Sequence, residues 1–121
     1  MDLEVSIGVP DEPLPEKITE KIAEAIRDFH DIAFAFLPEM FIPGQMENPA
    51  PVLVIVTKQK GPKLEKLLAT LRNRINGIMP DDMELDLLPI PPEHELVMPT
   101  IETGCLVEIN NHELFEKCQG F

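Results

Sequence analysis

Over residues 3–9, Leu3, Val5, Ile7 and Val9 alternate with Glu4, Ser6 and Gly8, a period of two that lays apolar side chains on one face of a strand. Pro10, Pro13 and Pro15 end that pattern. From there Ile18, Ile22, Ala25, Ile26 and Phe29 recur at helical spacing, with Glu16, Glu20 and Glu24 off the apolar stripe, which predicts a helix over 15–29. Pro15 suits its first position, where a missing N–H has no intrahelical partner to lose. Gly8 stands alone before this helix, without a Gly-Lys-Ser/Thr or G-x-G-x-x-G spacing, so the junction reads as a structural turn and not a phosphate cradle.

Two stretches then lack a polar side altogether. "DIAFAFL" alternates Ile32, Phe34 and Phe36 with Ala33, Ala35 and Leu37, and "VLVIVTK" is a continuous β-branched run; both read as strands that are apolar on both faces. The proline-rich residues 38–51 between them read as a loop. After Gly61 and Pro62, Leu64, Leu67, Leu68, Leu71, Ile75 and Ile78 trace a second helical stripe opposed by Lys63, Lys66, Arg72 and Arg74. "MELDLL" then alternates as a fourth, one-sided strand over 83–88. The order βαββαβ predicts an α+β fold of the ferredoxin-like kind, two helices covering one face of an antiparallel sheet in the order 4-1-3-2. At 121 residues the chain is the size of a single domain, with a core over about 3–90 and a C-terminal extension over 91–121. That extension holds a short helix near 93–98, a strand-like "CLVEI" and a loose end.

The segments "EVSIGVPDEPLPEKITEKIAEAI", "DIAFAFL", "PVLVIVT" and "MPDDMELDLLPI" resemble, in order and spacing, the C-terminal domain of the enhanced serine sensitivity protein family over residues 3–100. The shared pattern is a strand ending in a proline-containing turn before a helix, a strand hairpin, a second helix and a final "lDLLPI"-type strand. The resemblance implies no chemistry, cofactor or site.

Charge narrows the function classes. Twenty-two acidic against ten basic side chains give a net charge of −12, which repels phosphate backbones and anionic headgroups. Nucleic acid and membrane partners are therefore not expected. No apolar run reaches the roughly 20 residues that span a bilayer, and the first residues carry no signal-peptide pattern, so a cytoplasmic location is expected. Cys105 and Cys118 are read as free thiols, since they form no C-x-x-C pair in a chain of cytosolic type.

Four groups invite chemistry, and each has a plainer account. His94 between Glu93 and Glu95, with Cys105 eleven residues on, can be drawn as a nucleophile pair of a small thiol hydrolase, yet "ETGCLVEI" is the start of a strand with a small buried hydrophobe. His94, Cys105, His112 and Cys118 lack the short paired spacings of a zinc site. Asp81, Asp82, Glu84 and Asp86 lack the glycine and terminal glutamate of a calcium loop, which leaves a solvated turn. Met40, Phe41 and Met46 in the 38–51 loop either fold back or make an adaptable binding surface. No catalytic residue, metal, cofactor or small-molecule substrate is assigned, and the expected function is a non-enzymatic protein-binding or assembly module. An acidic chaperone or immunity-type protein that masks a basic partner falls within that class.

The expected interaction surface is the sheet face that the two helices leave open. Glu4, Ser6, Glu84 and Asp86 would make it polar on strands one and four. Ala33, Ala35 and Leu37 beside either Leu53 and Ile55 or the valines of strand three, with Met40 and Phe41 added, would make it apolar on strands two and three, and such patches mark interfaces. The tail is expected to cover part of this patch, and a homodimer or a protein partner the rest.

Overall fold

The structure is a computed structural model that describes residues 5–81 and 83–119. Its centre is β4 (Ala50–Thr57), whose six residues from Val52 to Thr57 are all buried, as a run that is apolar on both faces requires. On one side β4 pairs antiparallel with β2 (Ile32–Phe36), and on the other it pairs parallel with β5 (Asp86–Ile90), reached through α2 (Gly61–Ile78). Residues 38–51 are less of a loop than their prolines suggest. Phe36 opposes Val54, Glu39 opposes Pro51 and Met40 opposes Ala50, so β3 (Glu39–Phe41) continues β2 in the same register along β4. Pro38, which has no N–H for the ladder, separates the two pieces while its carbonyl accepts Val52 N–H at 3.0 Å.

The order across the main sheet is β5-β4-β2-β6, and β1 (Ser6–Gly8) attaches only to β3. This differs from the ferredoxin-like 4-1-3-2 order, which would seat the first strand between the fourth and the third. Three residues of β1, stopped by Pro10, pair with the short β3, and β4 is left free to take β5 directly. The fourth strand also lies later than its alternation suggests, at Asp86–Ile90 in place of 83–88. Met83 and Leu85 still pack on the helix side from outside the strand, and Pro89 is tolerated because β5 is an edge.

Above one face lie α1 (Glu16–Arg27) and α2, which bury Ile22, Ile26, Leu67, Leu71 and Ile75 against Ile32, Ala35, Leu37, Leu53 and Ile55. The other face is not open. α3 (Val97–Glu102) and α4 (His112–Cys118), joined through the strand β6 (Leu106–Ile109), fold back over Phe34, Phe36, Val52, Val54 and Val56. β6 pairs with β2, and Phe115 of α4 meets Phe34 edge-on with ring centroids 5.0 Å apart. The extension thus supplies a third layer and a sheet strand. α3 starts later than the expected 93–98, with Pro99 confined to its first turn, where proline is tolerated. The expected loose end is a helix, capped where the Asn111 side chain accepts Leu114 N–H at 3.0 Å.

Strict alternation fails once, inside β2. Ala33 and Phe34 belong to the same side of the sheet, and the register with β4 shifts between Ile32 and Phe34. One extra residue at a bulge has this effect.

Candidate binding face

The proposed interaction residues lie mostly inside the protein. Ala35, Leu37, Leu53 and Ile55 are buried beneath α1 and α2, while Ala33 is buried on the opposite side under the extension. They form no single face, because the bulge rotates Ala33 away from Ala35, and none is available to a partner. Met40 and Phe41 are half-buried in β3, and Met40 packs toward the cluster around Phe34. Ser6 and Asp86 are exposed, as is Glu84 just outside β5; Glu4 lies outside the described residues.

The groups that invited chemistry are engaged locally. His94 Nδ1 accepts the N–H of Leu96 at 3.0 Å, closing the turn before α3. Cys105 Sγ reaches the carbonyl of Thr103 at 3.7 Å within its own turn. Cys118 Sγ reaches the carbonyl of Pro92 at 3.6 Å, and burial, then the nearby Glu93 carboxylate, pushes its thiol above its ordinary pKa. Desolvation and a neighbouring negative charge both disfavour the thiolate. No group of three His, Cys, Asp or Glu side chains able to hold a metal occurs among the described residues, and Asp82 lies outside them.

A different feature emerges where β4 and β5 end side by side. Thr57, buried, donates its hydroxyl to the carbonyl of Asp31 at 2.7 Å and accepts Gln59 N–H at 3.1 Å. Gln59 Nε2 also reaches Asp31 Oδ1 at 3.0 Å. These bonds tie the loop after β4 back to the start of β2, while Lys58 and Lys60 on either side of Gln59 are exposed. Gly61 then takes φ +60°, a left-handed value that favours glycine, and turns the chain into α2. Between this loop, Leu64 and the Pro89–Glu93 segment lies a cleft of about 600 Å³.

α2 carries the charge outward from the cleft. Its stripe of Leu67, Leu71 and Ile75 is buried, and Lys63, Lys66 and Arg72 are exposed. Arg74 pairs with Asp28 at 3.1 Å and stands over the Phe29 ring, 5.9 Å from its centroid. Residues 58–74 hold six of the ten basic residues of the chain and one acid, Glu65, for a net +5. Everything else carries four bases and twenty-one acids, a net −17. Apart from Arg74, none of these six cations makes an ion pair among the described residues. Reading the charge only as a total of −12 conceals this segregation, although the clustering of bases is visible in the sequence.

A family model described as the SseB protein C-terminal domain matches residues 1–103. The chain belongs to the SseB C-terminal domain family. This is the family whose pattern the strand, turn and helix spacings over 3–100 resemble. The SseB match contains β1 to α3, and with them the cleft and the whole basic segment, while β6 and α4 lie beyond it. No curated protein and no solved structure matches the chain. Among the described residues no helix is long and apolar enough to cross a membrane.

Proposed function

We propose that this SseB-type domain is a non-enzymatic protein-binding module whose working surface is the basic face formed by Lys58, Lys60, Lys63 and Lys66, and whose partner presents carboxylates. The observation that carries the reading is the segregation of charge, +5 over 58–74 against −17 elsewhere. Exposed cations without internal partners cost little to hold in water and gain when an acidic surface meets them. Nucleic acid is the weaker candidate, because a long phosphate chain would extend past α2 over the acidic remainder. The reading does not place the partner on the sheet face opposite α1 and α2, because α3 and α4 pack over it.

Magnitudes limit what charge alone can do. Exposed ion pairs contribute roughly 0.2–1 kcal/mol each, so four or five of them supply at most about 5 kcal/mol. A micromolar complex needs about 8 kcal/mol. The face therefore steers and orients a partner, and tight binding needs buried apolar area besides.

Fluorescence anisotropy with a labelled dodecaglutamate peptide at 150 mM NaCl tests the reading. Reversing two charges in Lys63→Glu/Lys66→Glu should weaken binding about tenfold, a change of about 1.4 kcal/mol, while Lys17→Glu/Lys21→Glu on α1 should change it less. Equal affinity of the wild type and the Lys63→Glu/Lys66→Glu protein would refute it.

A further inference from the structure

The cleft beside the basic face differs from it in character. Its walls include Leu64 of α2 and Pro89, Ile90, Pro91 and Pro92 at the end of β5. Proline rings offer apolar surface on a backbone already fixed in φ, so little freedom is lost when something packs on them. The hydrogen bonds from Thr57 and Gln59 to Asp31 hold the opposite rim in place. Lys58 and Lys60 belong to that rim, and Glu93 closes the proline segment on the other. At about 600 Å³ the space falls within the range of roughly 300–1,000 Å³ that takes a bound group.

We infer that this cleft receives the apolar anchor of an acidic polypeptide segment, one large aliphatic or aromatic side chain flanked by carboxylates. The inference rests on residues 58–74 being a docking face, and it names what that face binds. Apolar walls call for an apolar side chain, and the lysines around them call for carboxylates next to it. This is the arrangement of a desolvated centre inside a polar rim by which interfaces concentrate affinity. Flanking carboxylates lie toward Lys58 and Lys60, the two cations that line the cleft. Gly61 and Leu64 at the start of α2 line the cleft, next in sequence to Lys63.

Anisotropy with three labelled probes decides it: ten glutamates with a central tryptophan, ten glutamates with a central alanine, and an oligothymidylate of similar length. The tryptophan peptide should bind the intact protein at least tenfold more tightly than the alanine peptide. Leu64→Glu, confirmed folded by circular dichroism, should remove that preference and leave the affinity for the alanine peptide within about twofold. Pro92→Glu serves as a second variant on the opposite wall should Leu64→Glu not fold. Equal binding of the two acidic peptides, both weakened by Lys63→Glu/Lys66→Glu, would overturn the anchor and leave the docking face standing. Failure of both acidic peptides to bind would overturn the docking face with it, and so would tighter binding of the oligothymidylate.

Discussion

Asn110, between β6 and α4, ties three parts of the chain together. Its side-chain Nδ2 donates toward the carbonyls of Ile26 at 2.8 Å, Phe29 at 3.0 Å and Ile32 at 3.1 Å. These carbonyls belong to the last turn of α1, the connection after it and the first residue of β2. Ile26 and Phe29 each already accept one backbone N–H, so Asn110→Ala leaves neither carbonyl bare. The loss is then that of about two hydrogen bonds at about 1 kcal/mol each, or about 2 kcal/mol. Asn110→Asp keeps the shape and replaces the donor by an acceptor that faces three acceptors. The stranded polar group adds about 1–3 kcal/mol, so we expect a total loss of about 3–5 kcal/mol for Asn110→Asp. On a domain of ordinary stability, about 5–15 kcal/mol, that approaches unfolding.

The two variants also differ in their response to pH. A carboxyl among carbonyl oxygens is held above its unfolded pKa of about 3.9. Its penalty is complete above the folded pKa and is relieved as pH falls through that value, because the protonated group regains one donor. Urea denaturation of wild type, Asn110→Ala and Asn110→Asp at pH 7 and pH 4.5, followed by circular dichroism, measures both effects. Asn110→Asp should be the least stable at pH 7 and should recover toward Asn110→Ala on acidification. Equal stability of the two variants at pH 7, or no recovery relative to wild type, would show that the Asn110 amide does not organise the end of α1.

Three further outcomes follow from packing and burial. Leu71 is fully buried between α2 and the sheet, so Leu71→Ala should cost about 2–5 kcal/mol in denaturant melts; a loss below about 1 kcal/mol would mean that α2 is peripheral. Phe115 is half-buried and stacks on Phe36 at 6.1 Å besides its contact with Phe34. Phe115→Ala should therefore cost about 2–3 kcal/mol and raise binding of an apolar dye, whereas unchanged dye binding would argue against α4 as a cover. Cys118 should react with iodoacetamide at pH 8 more slowly than free cysteine, since burial and Glu93 raise its pKa. Its share of stability is complete below the unfolded thiol pKa of about 8.5 and is lost as pH rises past the higher folded value; rapid labelling at pH 8 would contradict this.

Periodicity made the helices and the buried strands legible, because Ile18 to Phe29 and Leu64 to Ile78 repeat at helical spacing and "VLVIVT" is apolar on both sides. What it left out was which strands pair. The two-sided runs of β2 and β4 point to apolar surface on both faces, and the expected tail covers only part of it. The strand-like "CLVEI" shows in the sequence, whereas α4, with seven residues, is too short for a periodic signal and reads as a loose end. Register was hidden as well: the bulge in β2 and the continuation of β2 into β3 depend on pairing with β4 and leave no local pattern. For the candidate face the reverse holds. All six cations of 58–74 are plain in the sequence, and only the place of Lys58 and Lys60 on a proline-walled cleft required the fold.

A total charge of −12 and a basic face act over different distances, and salt decides which of them an acidic partner meets. α2 has 18 residues and is therefore about 27 Å long. At 0.15 M ionic strength charges are screened beyond about 8 Å, so a peptide approaching α2 senses the local cations and little of the acidic remainder. At 0.01 M the screening length grows to about 30 Å, longer than α2, and the whole net negative charge opposes approach. At 1 M it shrinks to about 3 Å, and the attraction itself fades. Binding of an acidic peptide should thus be strongest at intermediate salt and weaker at both extremes, unlike the steady decline with salt expected of a uniformly basic binder. A titration series from 0.01 to 1 M NaCl checks this. A monotonic fall in affinity from the lowest salt upward would mean that the acidic remainder does not oppose the approach, and that the net charge is no guide to what this domain binds.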